Sequence, residues 1–113
     1  MITEGTAREI ALSMPEAEER EHMNHPDFRV RNKIFATLWP SKTEAVVMVD
    51  PAEVDPLIDE QPKVFSRNGW SEKYGALTVD LDQIEEAQFR VLIRKSWLRK
   101  APKNLAAELQ SES

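Results

Sequence analysis

Basic side chains at alternating positions are the clearest chemical feature of the sequence. Arg29, Arg31 and Lys33 lie in segment 28–43, which holds four basic residues and no acidic one. Phe28 and Val30 alternate with the arginines, which predicts a strand with its apolar residues inward and its cations outward. A hairpin that projects these cations could place them against the phosphates of nucleic acid.

A second group of candidate contacts surrounds the dipeptide Asn68-Gly69, which is a strong tight-turn signal. Arg67, Trp70 and Lys73 flank this turn and would give a second basic element with a ring for base stacking. Of the three tryptophans, Trp70 is predicted to be the exposed one, whereas the other two are predicted to be buried or half-buried. The alternative is that both groups are solvated faces balanced by nearby acids.

The charge of the whole chain limits what these groups can do. The net charge is −5, which argues against coating nucleic acid or a membrane through bulk positive charge. Segment 87–107 holds six basic residues and no acidic one, but helical spacing would put them on two flanks, not in one stripe. Any complex with double-stranded DNA should therefore be weak and strongly salt-dependent.

Other chemistry has little support in the residues. The absence of cysteine excludes disulfides, thiolate nucleophiles and thiolate metal sites. The three glycines form no phosphate-binding pattern, and no catalytic residue can be assigned, so an enzyme is not expected. His22 and His25 stand among acids, but two histidines without further spacing predict neither a metal nor a cofactor. His25, which precedes Pro26, is predicted to bond the backbone.

The expected core face of the last long helix holds Phe89, Leu92, Ile93, Ser96 and Trp97. A further candidate surface lies opposite this face. Val91 and Leu98 are seven residues apart there and could contact a partner protein or a second copy of the chain. Alternatively, the following segment, with Leu105 and Leu109, folds back over them.

The periodicities predict an α+β fold, an antiparallel sheet with helices on one face. Helices are predicted from Thr3 or Thr6 to Met14, from Asp50 to Gln61 and from Asp82 to Lys100, with a final short helical turn. Asp50 is the predicted N-cap of the second helix. Pro56 conflicts with one continuous helix and leaves open a turn followed by a shorter helix. Strands are predicted at 25–30, 33–39, 45–49, 64–66 and 75–81, and segment 16–24 is ambiguous between loop and edge strand.

The length of 113 residues predicts one domain over residues 1–109, with residues 110–113 as a flexible tail. The longest apolar runs are far too short to span a membrane, and the first residues do not form a signal peptide. We therefore expect a cytoplasmic protein, of bacterial origin.

Two blocks of sequence resemble the MmcQ/YjbR family: His25-Pro26-x-Phe28-Arg29-Val30 and Lys33-Ile34-Phe35-Ala36. Weaker similarity continues through Thr78–Leu81 and Trp97–Lys103, so that the resemblance covers nearly the whole chain. One departure is Asn32, where members often carry glycine; asparagine also tolerates the left-handed conformation of a tight turn.

The resemblance implies a CyaY-like fold, similar also to double-wing DNA-binding folds, and the family's description as DNA-binding. That description rests on analogy of fold. We expect a small non-enzymatic binding domain that contacts DNA through the basic hairpin. The alternative is a module that binds a protein, a second copy of itself or a small ligand, with no nucleic-acid role.

Overall fold

A computed structural model of the chain describes residues 1–112, and the side chains of residues 1–109. The five helices are α1 (Glu4–Leu12), α2 (Pro51–Glu60), α3 (Ser71–Tyr74), α4 (Glu86–Lys100) and α5 (Lys103–Glu112). The six strands are β1 (Glu18–His22), β2 (His25–Val30), β3 (Lys33–Trp39), β4 (Glu44–Met48), β5 (Phe65–Ser66) and β6 (Ala76–Asp80). A 3-10 turn, Pro40–Lys42, joins β3 to β4.

All strand pairs are antiparallel, in the order β1-β2-β3-β4-β6-β5. The predicted α+β class and antiparallel sheet are confirmed. Segment 16–24, which the sequence left ambiguous, forms the edge strand β1, and every residue of that strand is exposed. Its charged sequence protects the edge against pairing with other chains.

The first two hairpins turn through two residues each. Arg31 and Asn32 have φ angles of 49° and 67°, and Met23 and Asn24 have 51° and 67°. Two successive left-handed residues match the twist of paired strands, and asparagine adopts that conformation at low cost. The turn predicted at Asn32 is therefore confirmed.

A β-bulge lies where β2 pairs with β3. Phe28 pairs with Ala36 and Arg29 pairs with Ile34, so Phe35 is the extra residue. Phe35 and Ala36 are both buried, and the side chains before the bulge change faces. Ile34 consequently shares the open face of the sheet with Thr37 instead of entering the core.

The core lies between one face of the sheet and the helices α1, α2 and α4. The predicted inner face of α4 is confirmed, since all its members are buried: Phe89, Leu92, Ile93, Ser96 and Trp97. The Trp97 indole N–H donates to the carbonyl of Pro15 at 3.0 Å and so fixes α4 against the end of α1.

Helix α2 is continuous through Pro56, so the helix predicted from Asp50 to Gln61 is confirmed and the alternative of a turn followed by a shorter helix is wrong. Water can replace the donor that Pro56 lacks, because Pro56 and Ala52 are both exposed. The other two helices at the C-terminal end differ from their predictions. Helix α4 begins at Glu86, because residues 81–83 form a turn in which the Asp82 N–H bonds the Asp80 carboxylate. Helix α5 is longer than the predicted helical turn. The tail predicted for 110–113 lies outside the residues whose side chains are described.

Within residues 1–112, none of the helices is both long enough and apolar enough to span a bilayer.

Candidate functional site

The face of the sheet opposite the core holds a groove of about 620 Å³, which we call the sheet-face groove. Its floor is formed by the outward side chains of three neighbouring strands, β3, β4 and β6. Four of these side chains are apolar and two are threonines, and all except the buried Ala76 are half-buried: Ile34, Thr37, Val46, Met48, Ala76 and Thr78. Alternation along each strand explains the arrangement, because the intervening residues Val47, Leu77 and Val79 point into the core.

The two sides of the groove come from opposite edges of the sheet. On one side, the tip of the β1–β2 hairpin contributes His22, Met23 and His25. On the other side, the segment that carries β5 into α3 contributes Asn68, Trp70 and Tyr74. The β3–β4 connection adds Trp39, Lys42 and Glu44.

Exposed apolar side chains surround the groove. Met23 is 85% exposed and Trp70 61% exposed, and Tyr74 is also exposed. Water-exposed hydrophobic groups of this size, gathered at one place, are typical of a binding surface. Scattered exposed groups would need no such explanation.

The Trp39 ring is in contact with two side chains of the same protein. The His25 ring stacks on it, with centroids 3.8 Å apart and an interplanar angle of 28°, and the Lys42 ammonium lies 5.5 Å from the ring centre. The sequence predicted that His25 bonds the backbone, but its Nδ1 is buried without a hydrogen-bond partner among the described residues. The tryptophan and tyrosine rings that are exposed at the groove are those of Trp70 and Tyr74.

A short loop motif holds Trp70 in place. The Asn68 side chain accepts a hydrogen bond from the Trp70 N–H at 2.8 Å and donates one to Thr78 on the groove floor at 3.1 Å. The Ser71 hydroxyl accepts from the Asn68 N–H and donates to the Ala76 carbonyl. The predicted turn at Asn68-Gly69 thus begins the short helix α3, which the sequence analysis missed, and α3 carries Tyr74.

Asp27, a residue of β2, is fully buried. It accepts two hydrogen bonds from Arg29, at 2.8 and 3.1 Å, and its second oxygen lies 2.6 Å from His22 Nδ1. Burial by itself raises the pKa of Asp27, but the hydrogen bonds of Arg29 and His22 outweigh it and lower the pKa. A proton on His22 Nδ1 satisfies this carboxylate, and Asp27 thereby fixes the orientation of His22 at the groove.

Replacing Asp27 with asparagine is expected to destabilise the domain at pH 7 by about 1.5–3 kcal/mol, because charge-assisted hydrogen bonds are lost. A carboxylate whose pKa is lowered by folding stabilises above its unfolded pKa of about 3.9 and loses that contribution as the pH falls through the folded value. Asp27→Asn should therefore lose less stability than the parent between pH 5 and pH 2. Urea unfolding across this range measures both effects.

Glu16→Gln is the matched control, because Glu16 also has a lowered pKa, from its hydrogen bonds to Arg31, but is exposed. Its effect should be clearly smaller than that of Asp27→Asn. Equal effects would contradict the role assigned to the buried carboxylate.

The six predicted nucleic-acid contacts fall at different places. Arg29 binds Asp27, Arg31 donates to both carboxylate oxygens of Glu16 through Nε and Nη2, and Arg67 forms an ion pair with Asp55. The Lys73 ammonium lies 5.3 Å from the Tyr74 ring centre, beside the sheet-face groove, and Trp70 lines that groove. Lys33 lies near Lys100, and the pKa of Lys100 is lowered by burial and then by the positive charges of Arg99 and Lys33.

The two residues of the predicted interaction surface differ in their exposure to water. Val91 is exposed, whereas Leu98 is half-buried and packs against the core, which also includes Leu105 from α5. Over the part of the chain that is described, no three His, Asp or Glu side chains are grouped to hold a metal ion.

Sequence reasoning found Trp70 but missed most of the groove. Val46 and Met48 read as parts of a uniformly apolar strand, and Met23 lay in an ambiguous segment. One signal in the sequence could have indicated the groove. Strand β3 carries apolar residues on both faces, which indicates that the face opposite the core is also partly covered.

Comparison with known proteins places the chain among known folds. The model of the YjbR family matches residues 12–99. A crystal structure of Deinococcus radiodurans protein DR2400, with the family-model domain DUF419, is similar with a TM-score of 0.79 and 20% sequence identity. The similarity covers 97% of this chain and 89% of that chain, and at this identity it concerns the fold alone. No curated protein sequence matches the chain significantly.

Proposed function

The chain belongs to the YjbR family, and we propose a function for it from the geometry of its own structure. It is a small binding domain, without a catalytic step, that holds a planar aromatic ligand in the sheet-face groove. The observation that carries this proposal is the groove itself, with its apolar floor and exposed apolar sides.

The size of the groove favours a small molecule. Ligand sites typically measure about 300–1,000 Å³ and combine apolar walls with a few polar groups. The groove, at about 620 Å³, falls within this range. Its polar groups are the hydroxyls of Thr37, Thr78 and Tyr74, the Asn68 amide, the imidazoles of His22 and His25, the indole N–H groups of Trp39 and Trp70, and the charged ends of Lys42 and Glu44.

The shape and chemistry of the sides favour a flat ring. Outward side chains of paired strands form a continuous apolar surface, on which a planar molecule can lie. Trp70 and Tyr74 present rings at one side, and aromatic pairs gain about 0.5–1.5 kcal/mol beyond the area that they bury. A compound of two fused rings, such as neutral 2-naphthol, is a suitable probe.

The experiment places a charged side chain on the groove floor. Val46 is half-buried on the open face, so Val46→Arg should leave the core intact and lower the affinity for 2-naphthol at least about tenfold. Equilibrium dialysis measures the affinity, and circular dichroism verifies the fold. Val91→Arg, on the exposed side of α4, is the matched control and should bind like the parent.

Unchanged binding by Val46→Arg would place the ligand elsewhere and reject the proposal, as would an equal loss in Val91→Arg.

Sedimentation of the Val91 variant also tests the predicted homodimer. A dimer that this variant disrupts would support an interface on α4.

A second candidate function is weak binding of double-stranded DNA, which the position of Lys33 favours. Lys33 brings the first basic segment close to Lys100 of the second, and it forms no ion pair with the residues described. Against it, Arg29, Arg31 and Arg67 are engaged by carboxylates, so phosphates would have to displace them.

Fluorescence anisotropy with a short duplex at low salt tests this candidate. Binding that weakens steeply with salt, and that is lost in Arg29→Glu with Arg31→Glu while circular dichroism shows an intact fold, would support it. Absence of binding, or binding that this double variant leaves unchanged, would reject it.

A further inference from the structure

We infer that Met23 contacts the ligand and that the tip of the β1–β2 hairpin forms one side of the binding site. This inference rests on the proposed function and adds to it one specific contact, between the methionine thioether and the edge of an aromatic ligand. It is carried by the conformation, the exposure and the position of a single side chain.

The conformation of Met23 is unfavourable for its residue type. Its φ angle is 51°, in the left-handed region, and the following residue, Asn24, is also left-handed. Turns with two such residues favour asparagine, aspartate or glycine at both positions. A long apolar side chain at the first position therefore strains the backbone, and strain of this kind is concentrated at functional sites.

The exposure of Met23 is equally unfavourable for folding. The side chain is 85% exposed and is not among those that pack against the core. Both features act against stability, so neither explains why methionine occupies this position.

The position of Met23 supplies a reason. Met23 lines the sheet-face groove on the side opposite Trp70, so a flat ligand on the groove floor would lie between the two side chains. Methionine sulfur makes favourable contacts at ring edges, and its flexible side chain adapts to ligands of different outline. The ligand class is therefore an aromatic molecule whose ring faces Trp70 or Tyr74 and whose edge meets the Met23 thioether.

The next hairpin of the same sheet provides an internal comparison. Arg31 occupies the equivalent first position, with φ of 49°, and is followed by the left-handed Asn32. The Arg31 side chain has a partner within the chain, since it binds Glu16 through two hydrogen bonds. At the Met23 tip the corresponding partner would be the ligand.

The test is a substitution with opposite effects on stability and binding. Met23→Asn should raise the melting temperature by a few degrees, because it relieves the left-handed strain. It should also weaken 2-naphthol binding at least about threefold, because the thioether contact is lost. Met23→Leu, which keeps the apolar bulk, should lose less affinity than Met23→Asn.

Arg31→Asn is the matched control for the turn, since it introduces asparagine at the equivalent left-handed position of a hairpin away from the groove. It should leave the affinity for 2-naphthol unchanged. If the parent binds 2-naphthol and Met23→Asn binds it equally well, only the inference about Met23 fails. If the parent does not bind, the proposed function fails with it. Lower stability in Met23→Asn would also overturn the inference, because it would give Met23 a structural role.

Discussion

Gly75→Ala is expected to abolish folding or to lower the free energy of unfolding by more than about 4 kcal/mol, an exceptional value for a single substitution. Gly75 ends α3 with a φ angle of 74°. A Cβ atom built there would lie 1.7 Å from the carbonyl oxygen of Val49 and 2.8 Å from its carbonyl carbon. These are backbone atoms, so no side-chain movement relieves the overlap.

Movement of the backbone would damage the sheet. The Val49 N–H donates to the Gly75 carbonyl at 2.8 Å, directly beyond the β4–β6 pair of Met48 and Ala76. Separating these two strands would also displace α3, with the Tyr74 ring that it carries, from the groove. The close approach at Gly75 therefore positions one side of the binding site as well as the core.

Gly69→Ala is the matched control, because a Cβ atom at Gly69 would have nothing within 4 Å. Its effect on stability should stay within about 1 kcal/mol. Thermal and urea unfolding of both variants provide the comparison. A Gly75 variant that is as stable as the Gly69 variant would contradict the backbone geometry described.

Ser96→Ala is expected to lower the free energy of unfolding by about 2–4 kcal/mol, because it leaves two buried backbone groups without partners. The Ser96 hydroxyl accepts a hydrogen bond from the Met48 N–H at 2.7 Å and donates one to the Phe35 carbonyl. At this point the bulge at Phe35 interrupts the pairing of β3 with β4, and helix α4 supplies the missing partner.

Ser41→Ala, in the exposed turn between β3 and β4, is the control and should have little effect. Urea unfolding at pH 7 measures both. A loss of less than about 0.5 kcal/mol in Ser96→Ala would mean that the two backbone groups find other partners. Ser96 was predicted to be buried, but its role as a bridge between strands could not be predicted, because it depends on the bulge.

Local patterns in the sequence predicted the elements well where one periodicity dominated. The 3.6-residue repeat in α4 identified its complete buried face, and alternation around Phe28 and Val30 identified β2 and its inward residues. The Asp50 cap was also correct, since its side chain accepts from the Ala52 N–H at 2.9 Å. Each of these signals lies within a few neighbouring residues.

The sheet-face groove could not be predicted in this way. Its floor combines β3, β4 and β6, and β6 reaches β4 only after the intervening α2, β5 and α3. The bulge then moves Ile34 to the open face, which alternation counted from Thr37 would place on the core face. Non-local pairing and a one-residue irregularity both lie beyond periodicity.

The basic residues illustrate the same limit in electrostatics. Alternation suggested that Arg29 and Arg31 project together, but each finds a carboxylate that no segment sum of charge identifies. The partner of Arg29 is two residues away, Asp27, whereas the partner of Arg31 is fifteen away, Glu16. A segment without acids is thus neutralised by acids from outside it.

Amide chemical-shift mapping tests the central claim, that the sheet-face groove binds a planar aromatic ligand. In a titration of the ¹⁵N-labelled protein with 2-naphthol, the largest shifts should fall on the groove residues of β3, β4 and β6 and on the two sides at 22–25 and 68–74. Residues 29–33 and 99–103 should change little. Absence of shifts, or shifts centred on the basic hairpin or on the exposed side of α4, would contradict the account.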